Sequence, residues 1–201
     1  MSLNLHVGCG TVYLDGYVNL DLYVEGYSFL ASERPDLVER NRTTVDRYYK
    51  VEESRATLEG GPRDVQHCVV DRYAPMDALP YEPGTADEIR SVQSLEHLSM
   101  KEGPRVLKHW HAVLRAGGVL HVDVPDFEET ARQLLAQPDE PSKDWYYRLV
   151  YGSQKNAYAF HKNGFSPARL ERMLREAGFR EVRHLKNTIH FYPVVIAEAV
   201  K

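Results

Sequence analysis

A glycine turn and a nearby carboxylate are the first residues in this sequence that could do chemistry. Gly8-Cys9-Gly10 follows a short apolar run over residues 3–7, and Asp21 closes a second run over residues 17–22. Glycines at the carboxyl end of a strand let the backbone approach a nucleotide-like ligand. A carboxylate ending the next strand accepts hydrogen bonds from paired ribose hydroxyls, each charge-assisted bond contributing about 1.5–3 kcal/mol. A plain tight turn with a solvated Asp21 is the competing structural role. A dinucleotide fingerprint would place glycine where Tyr13 stands, and an acidic residue about 20 positions further on. Neither is present, which disfavours an NAD-dependent oxidoreductase or epimerase.

Acid–base chemistry near neutral pH needs a group that titrates there, and histidine does so at about 6.5. His97 and His161 are the candidate bases among the nine histidines, with Asp126 as a carboxylate alternative. His97 follows a strand over residues 88–92, and His161 lies in a late aromatic segment. Asp126 follows a strand over 119–124, where capping the next helix is the competing role. For the two histidines the competing role is packing or a bond to a backbone carbonyl. No metal site is expected. His109 and His111 are two apart, which on a helix points them away from each other. His67 and Cys68 are neighbours, facing opposite sides of a strand. No C-x-x-C or H-E-x-x-H pattern occurs. Cys9 reads as a small loop residue rather than a nucleophile.

The elements that must hold these residues alternate between strand and helix, the pattern of a doubly wound, mostly parallel α/β sheet. Seven strands are predicted, over residues 3–7, 17–22, 65–70, 88–92, 119–124, 179–185 and 188–200. Helices are predicted over 104–115, 127–135 and 166–177, with Gly117 and Gly178 as left-handed caps. Residues 36–59 are helix-permissive, and 137–163 read as irregular. Lys186-Asn187 reads as a tight hairpin turn that makes the last strand antiparallel. Between Gly10 and the second strand only residues 11–17 are available. Extended, they span about 23 Å; helical, they advance only about 10 Å. The first crossover is therefore predicted to lack a helix longer than one turn.

The 201 residues fit one domain, 1–201, with inserts at about 23–64 and 137–163 placed to cover a site. Two cysteines and 43% hydrophobic residues fit a reducing, cytoplasmic setting with an ordinary core. The net charge of −4 argues against a nucleic-acid partner. No apolar run is long enough for a membrane span, and the N-terminal residues lack the pattern of a signal peptide.

Taken in order, these motifs resemble the class I S-adenosylmethionine-dependent methyltransferases, most closely the small type 11-like branch. Leu5-His6-Val7-Gly8-Cys9-Gly10-Thr11 is similar to the first family motif, and Gly16-Tyr17-Val18-Asn19-Leu20-Asp21 to the second. Met76-Asp77-Ala78-Leu79-Pro80-Tyr81 resembles the third, and Ser94-Leu95-Glu96-His97-Leu98 the end of the fourth strand. Leu114-Arg115-Ala116-Gly117-Gly118 resembles the turn before strand five. The resemblance implies a Rossmann-like sheet, S-adenosylmethionine as cofactor and a small-molecule methyl acceptor, leaning towards a sugar or polysaccharide precursor. It implies that Gly8, Cys9 and Gly10 face the methionine part and Asp21 the ribose. Asp77 and the Ala78 backbone would meet the adenine, and Ser91 and Gln93 would pass beside the methionine moiety. Two residues depart from the family. His6 stands where an acidic residue is common, and Val12 where a third glycine is common. These departures open a second reading, a binding protein of the same fold without catalysis.

Overall fold

The computed structural model describes residues 2–48, 67–188 and 190–201. The chain begins with β1 (Asn4–Val7), a two-residue β2 (Tyr13–Leu14) and β3 (Val18–Asp21). No helix stands between Gly10 and Asp21, as the short gap predicts. Next come β4 (Ser28–Leu30), α1 (Pro35–Asn41) and β5 (Arg42–Thr43). The remainder of the 23–64 insert from residue 49, with residues 49–59 of the helix-permissive stretch, lies outside the described residues. β6 (Cys68–Val70), β7 (Arg72–Tyr73) and β8 (Ala86–Val92) follow. Then come α2 (Glu102–Val113), β9 (Leu114–Pro125), α3 (Phe127–Leu135) and α4 (Glu140–Tyr151). The last elements are α5 (Pro167–Ala177), β10 (Glu181–Leu185) and β11 (Val194–Val200).

Seven strands form the main sheet in the order β10-β11-β9-β8-β1-β3-β7. β1 pairs in parallel with β3 and β8, and β8 with β9. β11 is antiparallel to both its neighbours. The topology is the expected Rossmann-like sheet. The chain leaves β1 towards β3 and later returns to β8 on β1's other side. That makes the β1–β8 boundary the switch point, where such sheets open a crevice at the carboxyl edge.

Four sequence expectations need correction. The described part of the run over 65–70 is not in the main sheet: β6 pairs with β4 in a separate two-stranded sheet, and β7 joins β3 instead. Asp71 divides them because its carboxylate takes the Asn19 N–H at 2.7 Å, a bond that strand backbone would otherwise make. Residues 137–163 are not irregular throughout, since α4 occupies their middle. Asp139 caps α4 by accepting from the Ser142 N–H at 2.9 Å, and Pro141 lies in its first turn. Gly117 does not cap α2. The helix ends at Val113 because the fully buried Leu114 is already extended and paired with Ala86. The β10–β11 link is not a two-residue turn but a loop over residues 186–193. The Asn187 amide braces that loop on the carbonyls of His190 and Tyr192.

The core accounts for the two helices that match their sequence periodicity. Val106, Leu107 and Trp110 of α2 and Leu170, Met173 and Leu174 of α5 recur at helical spacing and are buried against the sheet. Trp110 satisfies its ring N–H on the Met76 carbonyl at 2.9 Å. α5 ends at Gly178, whose φ of +110° a side chain rarely adopts. Among the described residues, no helix is long and apolar enough to cross a membrane.

Candidate functional site

A cavity of about 580 Å³ opens at the switch point, within the range of small-molecule sites. Gly8, Cys9 and Gly10 reach it from the end of β1, and Asp21 from the end of β3. Gln93, Ser94, Glu96 and His97 reach it from the end of β8. Trp145 and Arg148 of α4, with Tyr158 and His161 beyond it, form the opposite wall.

The glycine end is built around Asp21. One carboxylate oxygen accepts the Gly10 N–H at 2.7 Å, and the other accepts the Leu22 N–H at 2.7 Å. The Cys68 thiol also bonds this carboxylate, which leaves at least one lone pair for a ligand. Burial pushes the Asp21 pKa up, and the two backbone N–H groups oppose that shift. Cys9 is buried beside Cys68, and burial raises its thiol pKa well above the ordinary value, so it is held as a thiol. Asp77 lines the cavity and faces Arg105 at 3.8 Å.

The other end gathers two histidines and an acid. The Nδ1 of His97 lies 3.0 Å from the Phe160 carbonyl, and the Nδ1 of His161 lies 2.8 Å from the Leu149 carbonyl. A carbonyl only accepts, so both rings carry their proton on Nδ1 and present Nε2 as a lone pair. Burial lowers both pKa values, that of His161 to about 4, so both rings are neutral at pH 7. The two rings meet edge to face with centroids 5.0 Å apart. Glu96 lies beneath them, and burial raises its pKa to about 8.

Of the residues singled out from sequence, Gly8, Cys9, Gly10, Asp21, Asp77, Gln93, His97 and His161 line this one cavity. Ala78, Ser91 and Asp126 do not. The Ala78 N–H is taken by the Pro75 carbonyl at 3.2 Å inside its own turn. Ser91 is fully buried within β8, short of the strand's carboxyl end. Asp126 caps α3, accepting the Glu129 N–H at 3.0 Å, so the capping role is the one it plays. Gln93 also ties β8 to β9, because its side-chain amide donates to Asp123 at 2.6 Å. His190 donates to the other Asp123 oxygen at 2.6 Å.

Sequence reasoning missed Glu96, Asp123 and His190. Glu96 stood within the quoted Leu95-Glu96-His97-Leu98 motif without a role. No spacing rule links Asp123 to His190, because only the loop over 186–193 brings them together.

The two departures from the family pattern lie outside the cavity. His6 is fully buried, with Nδ1 2.9 Å from the Asn19 side-chain oxygen and Nε2 2.6 Å from the Tyr48 hydroxyl. Asn19 is oriented by its amide donating to the Leu14 and Tyr17 carbonyls. His6 therefore donates through Nδ1 and accepts the Tyr48 hydroxyl through Nε2. Val12 packs with Leu14, Tyr48 and Val92.

Comparison with known proteins adds the family. Residues 5–122 match the family described as "Methyltransferase domain". No curated protein matches the chain. A SAM-dependent methyltransferase from Thermotoga maritima superposes with TM-score 0.50 at 16% identity, covering 100% of this chain and 83% of that one. PigF, solved with SAH, gives TM-score 0.52 at 16% identity, covering 99% of this chain and 50% of its own. Human N-acetylserotonin methyltransferase, solved with SAM, gives TM-score 0.53 at 15% identity, covering 99% and 47%. The chain thus spans about half the length of the last two. At these identities the likeness is one of fold.

Proposed function

The chain belongs to the methyltransferase-domain family, and on that premise we propose that its cleft binds S-adenosylmethionine for methyl transfer to a small molecule. This cofactor supplies a methyl group on positively charged sulfur.

The observation that carries the reading is Asp21. Its carboxylate is held by the Gly10 and Leu22 N–H groups and borders the cavity, which suits a pair of ribose hydroxyls. Gly8 fits the same reading, because a side chain there would collide with Ser94 and push the turn out of line. The chain after Gly10 also favours this cofactor over NAD. A pyrophosphate is usually held at a helix N-terminus, whereas here the glycine turn runs into β2.

The acceptor belongs at the opposite wall. Trp145 and Tyr158 offer aromatic faces, and Arg148, Lys155 and Lys162 offer positive charge. That combination suits a sugar carrying an anionic group, as in a polysaccharide precursor. Glu96, His97 and His161 border the same wall, on the side of the cleft this reading gives to the acceptor. Alignment of acceptor and methyl supplies the larger share of the acceleration, about 7–11 kcal/mol in well-oriented systems. The second reading, binding without catalysis, rests on His6 and Val12, and neither residue borders the cleft.

Calorimetric titration tests the cofactor. S-adenosylmethionine and S-adenosylhomocysteine should bind and NAD should not. Asp21→Asn should weaken binding at least tenfold, for a loss of about 1.5–3 kcal/mol in charge-assisted bonds. NAD binding in place of S-adenosylmethionine, or binding of neither, overturns the reading. Mass spectrometry of sugar phosphates and nucleotide sugars incubated with enzyme and cofactor tests the acceptor class.

A further inference from the structure

We propose that Glu96, His97 and His161 hold a divalent first-row transition-metal ion at the acceptor end of the cleft. One carboxylate oxygen and two imidazole nitrogens lie within 4.8 Å of one another. The His97 Nε2 is 4.0 Å, and the His161 Nε2 3.9 Å, from the same Glu96 oxygen. Ligand atoms each about 2.0–2.2 Å from an ion stand about 3.4 Å apart at a tetrahedral angle and at most about 4.4 Å apart. Both separations to Glu96 fall inside that limit, and side-chain shifts of about 0.5 Å bring the three atoms onto one ion.

Three observations point to a cation. First, each ring has its Nδ1 committed to a backbone carbonyl, Phe160 for His97 and Leu149 for His161. Metal-ligating histidines are oriented in this way, with the outer nitrogen tied and the inner lone pair free. Second, Glu96 is 1% exposed, and neither of its carboxylate oxygens has a hydrogen-bond partner. A buried polar group without a partner is costly and calls for one. Third, the ligand-bearing segments are stapled together by the backbone. The Lys162 and Asn163 N–H groups donate to the Glu96 carbonyl at 2.8 and 3.2 Å. The triad is thus preformed without depending on the ion.

Two imidazoles and a carboxylate favour zinc, cobalt, iron or manganese over magnesium or calcium. Three protein ligands leave at least one position open, and all three residues border the cavity. A water or an acceptor oxygen completes the coordination there, which narrows the acceptor to a molecule presenting an oxygen donor. That last step rests on the methyl-transfer reading, whereas the ion site stands on its own geometry.

The test uses the full chain stripped with chelator and titrated with Co²⁺ while visible absorption is recorded. One equivalent should produce a ligand-field band that Zn²⁺ abolishes and Mg²⁺ does not. Glu96→Gln, His97→Ala and His161→Ala should each weaken Co²⁺ at least tenfold. In the unaltered protein, Zn²⁺ should also shield His97 and His161 from diethyl pyrocarbonate, a readout that does not depend on any variant folding. No band and no protection, or an unchanged band in all three variants, overturns the proposal. Calorimetry with S-adenosylmethionine on the stripped protein runs alongside. Its failure with the Co²⁺ band present would overturn the methyl-transfer reading and leave the ion site standing.

Discussion

A methyl group built on Gly8 would lie 2.5 Å from the hydroxyl oxygen of Ser94 and 2.7 Å from its Cβ. That hydroxyl donates to the Gly8 carbonyl at 2.8 Å, so the turn after β1 and the chain leaving β8 are in direct contact at the switch point. Gly10 differs: a Cβ there meets nothing within 4 Å, although its φ of +56° is equally left-handed. Gly10→Ala should therefore cost only the backbone term, about 1–2 kcal/mol. Gly8→Ala adds a collision with atoms close to the Ser94 backbone and should cost clearly more. Urea unfolding of the two variants checks this, and equal midpoints would show that the Gly8–Ser94 contact is looser than described.

Asp126 should matter to stability and not to turnover. Removing an N-cap side chain costs about 1 kcal/mol. Asp126→Ala should lower the unfolding free energy by that amount through α3. Because Asp126 does not line the cavity, kcat should stay within about twofold. A tenfold fall in kcat with the fold intact would return Asp126 to the chemistry.

His6 gives the protein a pH-dependent element of stability. Burial is the main cause of its pKa falling from 6.5 to about 4, with the Asn19 bond opposing the shift. The folded state therefore prefers the neutral ring, whereas the unfolded chain protonates near 6.5. The contribution is fully present above pH 6.5 and is lost as pH falls towards 4. Between pH 7 and pH 5 the loss from this one group is about 2 kcal/mol. Unfolding free energies measured at both values should differ by less in His6→Gln than in the unaltered protein. An identical difference in the two proteins would mean that His6 titrates normally in the fold.

The sheet and the glycine end were legible because their signals are local. Gly8, Gly10 and Asp21 mark strand ends within one stretch of chain, and the short gap between them excluded a helix by length alone. α4 was hidden because its start signals, Asp139 and Pro141, precede a Trp-Tyr-Tyr run that reads as irregular packing. Asp126 carried two roles in the sequence, and the bond to Glu129 shows the capping one. The triad of Glu96, His97 and His161 was illegible as a unit. Its assembly depends on backbone bonds from Lys162 and Asn163 to Glu96, which no pattern of residue types announces.

The reversal of β11 has a consequence for how the cleft is completed in time. Because this strand runs against β9, its first residue, Val194, pairs with Pro125 at the carboxyl edge. The loop just before it delivers His190 to Asp123, and Phe191 stacks on Trp145 with ring centroids 5.6 Å apart. A nascent chain halted before residue 186 would already carry the glycine turn, Asp21 and the triad. It would still hold Asp123 without its histidine and α4 without its aromatic brace. The glycine turn and Asp21, which open the crevice, are synthesised well before the loop that braces Asp123 and Trp145.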